Sequence, residues 1–462
     1  MNIAFIPIDN RPVCYSLPEQ ICAMDGNIKF FIPDRNLLGG LEKYANIEGI
    51  FEWLKNLPQV DALIMCLDTI AYGGLIPSRR STDTFDEIKI RIEKAKQIIQ
   101  TKNTKVYAFS SIMRISNNNI NQEEKEYWNK WGKKIFNYSY CLDKFGTVCK
   151  KEVPDEILDD YLETRKRNFE INKLYIEWEK EGFFDTLVFS KDDCAEFGFN
   201  VQEAKTLEKL GGFVKTGADE IPMTLLARAI QRVRSQEYKR VSYLKVCPIF
   251  LAPECKNLIS NYEDVSIEKS VSGQLELAGC EVTNENDADI LLYINNFENH
   301  QGEIVMKVDT KPFDGIWHLP EKPYMIADVR FANGSDNAFV EKLFQKGFDE
   351  NFLGYSAWNT SANSLGSLIC AGVLKYRCKE AKMKSLLQKN NTSFLRLQLI
   401  RFLDDWAYQA NVRQMLDEPD EKKVKELMKP FEKKVFEMMK VNYNINYKFP
   451  WNRLFEVEIE FN

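Results

Sequence analysis

Short apolar runs alternate with amphipathic helical segments along nearly the whole chain, and this alternation leaves few architectures open. Ile3–Ile8, Lys29–Ile32, Ala62–Leu67, Val106–Phe109, Leu187–Phe189 and Gly212–Lys215 read as strands. They are short, rich in β-branched or aromatic residues, and bounded by polar or turn-forming residues. Between them, residues 15–24, 46–56, 84–100 and 201–210 carry the pattern of helices; in the third of these, Ile88, Ile92, Ala95 and Ile98 recur at helical spacing. The alternation restarts after a polar, basic stretch at Arg234–Arg240, with strands at Val246–Leu251, Cys280–Val282, Ala288–Ile294, Tyr324–Ala327 and Leu353–Trp358.

Strands alternating with helices build parallel sheets. Some ten strands exceed a single eight-stranded barrel. The expected fold is therefore α/β, with two doubly wound domains whose strand ends face a shared cleft; an elaborated (β/α)8 barrel is the alternative. The expected division is an N-terminal α/β domain over 1–238, with a helical insertion at about 120–182, a second α/β domain over 239–375, and a helical, strongly charged segment over 376–462. Within the insertion, Trp128, Trp131, Phe136, Tyr138 and Tyr140 read first as core and second as a stacking surface.

Composition closes off several functions. The 462 residues carry a formal net charge of −6, which argues against a general nucleic-acid binder. No apolar run approaches the roughly 18 residues of a membrane helix. The eleven cysteines contain no Cys-x-x-Cys pair and do not read as a disulfide scaffold. Without a signal-peptide pattern at Met1, a cytoplasmic protein is expected. With only two histidines, His300 and His318, a multi-histidine zinc site is excluded, and catalysis must rest largely on carboxylates.

Candidate residues come from the strand ends. Ligands of open α/β sheets bind outside the carboxyl ends of the strands. There the chain places Asp9, Asn10 and Arg11; Asp68 and Tyr72; Arg114 and Asn117; Asp192 and Asp193; Asp219 and Glu220; Asp328 and Asn333; and Trp358, Asn359 and Asn363. Any one cluster is ordinary for a connection. Together they predict a pocket dense in carboxylates, amides and guanidinium groups, suited to a polyhydroxylated ligand. The adjacent acids Asp192 and Asp193 are the expected catalytic pair, since neighbouring carboxylates repel and one pKa rises when they are buried. Asp193 is expected as general acid and Asp192 as the orienting or stabilising group. The usual two-carboxylate scheme would instead pair one of them with a distant acid such as Asp68 or Asp219. The other residues named are expected to bind substrate.

Three functions follow: a glycoside hydrolase, possibly of N-acetylhexosaminide type; a hydrolase or isomerase using Mg²⁺ or Mn²⁺ on Asp68, Asp192, Asp193 and Asp219; and a non-catalytic sugar-binding protein. The first requires no cofactor. The partner in each case is a small molecule or glycan, with no nucleic acid and no membrane. Leu38–Gly40 and Tyr72–Gly74 are too short for a Walker or dinucleotide fingerprint.

The motifs Ile6–Val13, Leu67–Leu75, Ser111–Asn117, Asp192-Asp193, Gly217–Glu220, Asn333–Asp336 and Trp358–Gly366 resemble those of a bacterial family named only as domain of unknown function 4127. The likeness runs from residue 3 to about 459. It implies membership and no activity.

Overall fold

The computed structural model describes residues 1–148, 152–192, 194–238, 243–379 and 384–461. The chain folds as two compact α/β units, each assembled from discontinuous segments. The first comprises Met1–Tyr15, Lys29–Leu225 and Tyr262–Asp264; the second comprises Ser16–Ile28, Leu226–Asn261 and Val265–Asn462.

The first unit is built on β1 (Asn2–Ile6), β2 (Lys29–Phe31), β3 (Ala62–Cys66), β4 (Lys105–Ile112), β5 (Thr186–Lys191) and β6 (Val214–Thr216). All pair in parallel, in the order β2-β1-β3-β4-β5-β6. The chain steps outward from β1 to β2, then crosses back to β3 and continues in the opposite direction. That reversal puts helices on both faces and opens a crevice between the carboxyl ends of β1 and β3. Every residue of β3 and β5 is buried, as expected of strands covered on both faces. The core under them unites Ile6, Met65, Ala108 and Leu187 with helix residues Phe51, Leu54, Ile88, Ile92 and Tyr175.

The second unit repeats the plan. Its strands β7 (Lys245–Phe250), β8 (Glu281–Val282), β9 (Ile290–Asn295), β11 (Tyr324–Asp328) and β13 (Phe352–Ser356) form a parallel sheet in the order β13-β11-β9-β7-β8. Read from β7, this is the same reversal, with the switch between β7 and β9. Two small ladders accompany it: β10 (Gly302–Glu303) with β12 (Phe331–Ala332), and β14 (Ile445–Lys448) with β15 (Glu458–Phe461). The C-terminal segment packs on this unit's core through Phe402, Trp406, Met428 and Ile445.

The parallel sheets and doubly wound order agree with the α/β expectation, and no barrel forms among the described residues. Among its described residues the insertion holds two helices, Trp128–Phe145 and Asp155–Lys180. Its aromatics pack as core: Trp128 and Phe136 are buried, with Trp131, Tyr138 and Tyr140 against them. Two short helices escaped the sequence reading, Leu67–Tyr72 and Leu75–Arg80. They follow β3 directly, and Gly73 in the left-handed region (φ 90°) closes the first. A π-helix at Phe402–Gln409 was also not foreseen. Among the described residues, Cys141 is disulfide-bonded.

Candidate functional site

Residues that follow β1, β5 and β6 make long-range ion pairs in the first unit, through pairings that sequence alone did not show. Asp9 follows β1 and turns back on the chain. Its Oδ1 accepts the Arg11 N–H at 2.9 Å, and its Oδ2 accepts Arg11 Nε at 3.0 Å and Nη2 at 2.7 Å. The same guanidinium pairs with Asp219, just past β6, through Nη2 to Oδ1 and through Nη1 to Oδ2 at 3.4 Å. All three residues are buried. Arg11 therefore bridges two carboxylates 208 residues from one end of the bond to the other. The carboxylate of Asp219 is thus engaged by Arg11 just ahead of the helix Ile221–Tyr238.

Asp192, at the end of β5, meets two other guanidinium groups. Its Oδ2 accepts Arg79 Nη2 at 2.8 Å and lies 3.6 Å from Arg114 Nη1. Arg114 also holds Glu124 through Nε and Glu123 through Nη2, each at 2.9 Å. Arg79 lies 3.5 Å from both of those glutamates. Arg79, Glu123, Glu124 and Cys14 belong to this constellation and were missed from sequence. Arg79 lies in the unforeseen helix Leu75–Arg80, and its partner is 113 residues away. No local pattern marks such a pair.

Burial raises the pKa of Asp219; the neighbouring Arg11 opposes the rise, and Asp9 and Asp192 add to it. Asp192 and Asp219 thus feel each other's charge. Asp68 is buried in the helix Leu67–Tyr72, and burial raises it to about 6, against the stabilising Ser111 N–H, which donates to its Oδ2 at 2.8 Å. Asp68 Oδ1, Tyr72 Oη and Tyr175 Oη are buried without hydrogen-bond partners among the described residues. At 1 % exposure, Asp68 acts on the β4 tip from beneath.

The other expected residues fall as follows. In the first unit, Asn10 is half-buried, Asn117 exposed and Glu220 fully buried. Asp193 lies outside the described residues. In the second unit, Asp328 is buried and accepts Asn295 Nδ2, the Asp336 N–H and Tyr355 Oη at 2.8, 2.8 and 2.9 Å. Asn333 and Asn359 both occupy the left-handed region, joined by an N–H to carbonyl bond of 2.8 Å. Trp358 is buried edge-on to Phe455, and Asn363 is buried. All of these residues lie in the second unit.

The two glycine-containing turns near the first site serve packing. A Cβ on Gly39 would come within 2.2 Å of the Gly73 carbonyl oxygen. That oxygen accepts the Ala45 N–H at 2.9 Å, and Gly39's own carbonyl accepts the Asn10 N–H at 3.1 Å. Gly39→Ala is therefore expected to cost about 1–3 kcal/mol through overpacking. Urea unfolding followed by hydrogen exchange at Asn10 checks this, and an unchanged midpoint would refute it.

Asp9, Cys14 and Asp219 present ligand atoms within 4.8 Å of one another, the spacing a metal ion would need. Arg11 already occupies both carboxylates.

Fold and site together define a two-unit α/β protein with a carboxylate–guanidinium constellation at the switch edge of its first parallel sheet. The chain belongs to the DUF4127 family, described as protein of unknown function, which it matches over residues 3–460. No curated protein and no solved structure matches it. Among the described residues, no helix is long and apolar enough to cross a membrane.

Proposed function

We propose that the first unit is a glycoside hydrolase working by carboxylate acid/base catalysis. The observation that carries this reading is the contrast between Asp219 and Asp192. Asp219 binds its proton more tightly than an ordinary carboxyl, through burial and through facing Asp9 and Asp192. Asp192 faces two guanidinium groups and keeps partial access to solvent, its side chain 19 % exposed. Two acids whose surroundings differ in this way suit an acid and a carboxylate partner. Asp219 donates its proton to the glycosidic oxygen as the bond to the anomeric carbon breaks. Asp192 offers negative charge to the oxocarbenium-like centre, which water then attacks, giving its proton to the Asp219 carboxylate and so restoring the acid. Arg11 and Arg114 hold the two acids in place.

A panel of aryl glycosides, N-acetylhexosaminides included, tests this. Asp219→Asn and Asp192→Asn are each expected to lower kcat/KM by about 10²–10⁴. The Asp219→Asn loss should shrink on dinitrophenyl glycosides, whose leaving group needs no proton. Wild-type protein inert on every member would sink the proposal. Full activity of Asp219→Asn on poor leaving groups, with loss in Asp193→Asn, would move the acid role to Asp193.

The triad Asp9, Cys14 and Asp219 favours a second reading, a divalent-metal-dependent hydrolase or isomerase. A thiolate among the ligands suits Zn²⁺ better than Mg²⁺ or Mn²⁺. Binding would require Arg11 to swing off both carboxylates. Activity abolished by a chelator and restored by metal would select this reading. A ligand that stabilises the protein and is never converted would select a sugar-binding role.

A further inference from the structure

We infer that one face of the helix Asp155–Lys180 positions the two arginines that meet on Asp192, with Arg165 and Asn168 as its positioning residues. Arg165 fixes the segment that carries Arg114, and Asn168 fixes the segment that carries Arg79. This rests on the reading of Asp192 as a working acid and adds what sets the geometry around it.

Tyr161, Arg165, Asn168 and Asn172 recur every three or four residues and so share one face of the helix. A helix face turned into a core is ordinarily apolar. Here all four residues are polar and buried, and arginine and asparagine are rarely buried without partners. Their partners lie on two segments. Arg165 donates from Nη2 to the Met113 carbonyl at 2.6 Å and from Nη1 to the Arg114 carbonyl at 3.5 Å. Its guanidinium is braced by Glu203, 2.7 Å from Nε, and by Tyr161 Oη, which accepts Nη1 at 3.0 Å. Asn172 holds β4 just upstream, donating to the Ser111 carbonyl at 3.3 Å and accepting Ser110 Oγ at 2.7 Å. Asn168 Nδ2 donates to the Ser78 carbonyl at 2.9 Å, where Arg167 Nη2 joins it at 3.0 Å.

The carbonyls taken by Arg165 and Asn168 lie where regular structure runs out. Met113 and Arg114 follow the last residue of β4. Ser78 sits in the last turn of a six-residue helix, where carbonyls lack intrahelical donors. An unmet carbonyl is costly when buried, so the donors of this face decide where both segments settle. The residue after Ser78 is Arg79, and the second acceptor of Arg165 is Arg114 itself. Their guanidinium groups reach the same oxygen, Asp192 Oδ2, at 2.8 Å and 3.6 Å. One helix face thus fixes two backbone points whose side chains end on one carboxylate. Tyr175, the next position on this face, packs edge-on against Trp178 and Phe184 instead.

The test uses the full chain labelled with ¹⁵N-arginine, the guanidinium signals being assigned through Arg79→Lys and Arg114→Lys. Because Arg165→Met would strand Glu203, it is made together with Glu203→Gln and compared with Glu203→Gln alone. It should speed N–H exchange at the Arg114 guanidinium roughly tenfold and change Arg79 less. Asn168→Leu should act the other way, on Arg79 more than on Arg114. Tyr175→Phe, equally deep on the same face, should leave both rates within about twofold. Asn168→Leu is nearly isosteric and decides alone if the double variant does not fold. Unchanged guanidinium exchange in Asn168→Leu overturns the inference, as does an equal rise in Tyr175→Phe, which marks general loosening. On aryl glycosides the two positioning variants should lower kcat about tenfold with KM little changed, since a small misplacement at a reacting centre costs rate. If wild type cleaves none while the arginines respond as stated, only the catalytic reading falls. If glycosides are cleaved and the arginines do not respond, only the positioning inference falls.

Discussion

Arg11→Met should destabilise the first unit by about 3–5 kcal/mol at pH 7, the cost of removing one partner from a buried ion pair. The side chain is nearly isosteric along its stem, so packing loss is small. What remains is two carboxylates, Asp9 and Asp219, buried and facing each other without the group that joined them. Burial and Asp9 already raise Asp219 in the native protein. Without Arg11 the rise must grow, because the opposing charge has gone. A carboxyl raised on folding stabilises the fold below its unfolded pKa and loses that contribution as pH climbs through the folded value. The variant should therefore recover toward wild type between pH 7 and pH 5. Adding Asp9→Asn should rescue it at pH 7. Urea unfolding with hydrogen exchange in the first unit reads both effects. A difference under about 1 kcal/mol, or one independent of pH, would show that Arg11 does not hold the strand ends of β1 and β6 together.

The second large effect concerns the second unit and has the same sign. Burial raises Asp328 to about 7, with Asp336 adding to the rise and the donors from Asp336, Asn295 and Tyr355 opposing it. Asp404 and Asp405, on the π-helix, are both raised by burial against the pull of Arg401. Each group binds its proton more tightly folded than unfolded, so stability is full below about pH 4 for these groups and declines as pH rises toward 7. One such group contributes at most about 1.4 kcal/mol per pH unit across its window. From pH 5 to pH 8 the second unit is thus expected to lose several kcal/mol. Asp328→Asn should remove its own share of the slope. Unfolding followed at pH 5, 6.5 and 8 checks this; equal or greater stability at pH 8 would contradict it. Asp68, raised to about 6 in the first unit, contributes in the same direction.

Both effects arise where polar residues sit at the ends of buried strands, and those strands were legible in the chain. β3 is a five-residue run, Ala62–Cys66, with every residue buried, and β5 and β11 are similar. A strand covered on both faces must be apolar throughout, so its signal is local and survives without context. The acids after such strands were visible for the same reason. The small ladders were not: Gly302–Glu303 and Phe331–Ala332 are two residues each and exist only because the other is there.

The chain's own order of residues was enough to establish parallel α/β architecture, the reversal-prone alternation, and the acids that follow the strands, because all of these depend on neighbours within a few residues. It did not reveal that Arg79 would meet Asp192, that Arg11 would join Asp9 to Asp219, or that Asp68 would face inward. Those depend on which strand lies beside which, since the order β2-β1-β3-β4-β5-β6 brings segments from opposite ends of the unit to one edge. Proton affinity follows the same division: the identity of a carboxyl is written in the chain, whereas its desolvation and its charged neighbours exist only once distant segments have closed around it.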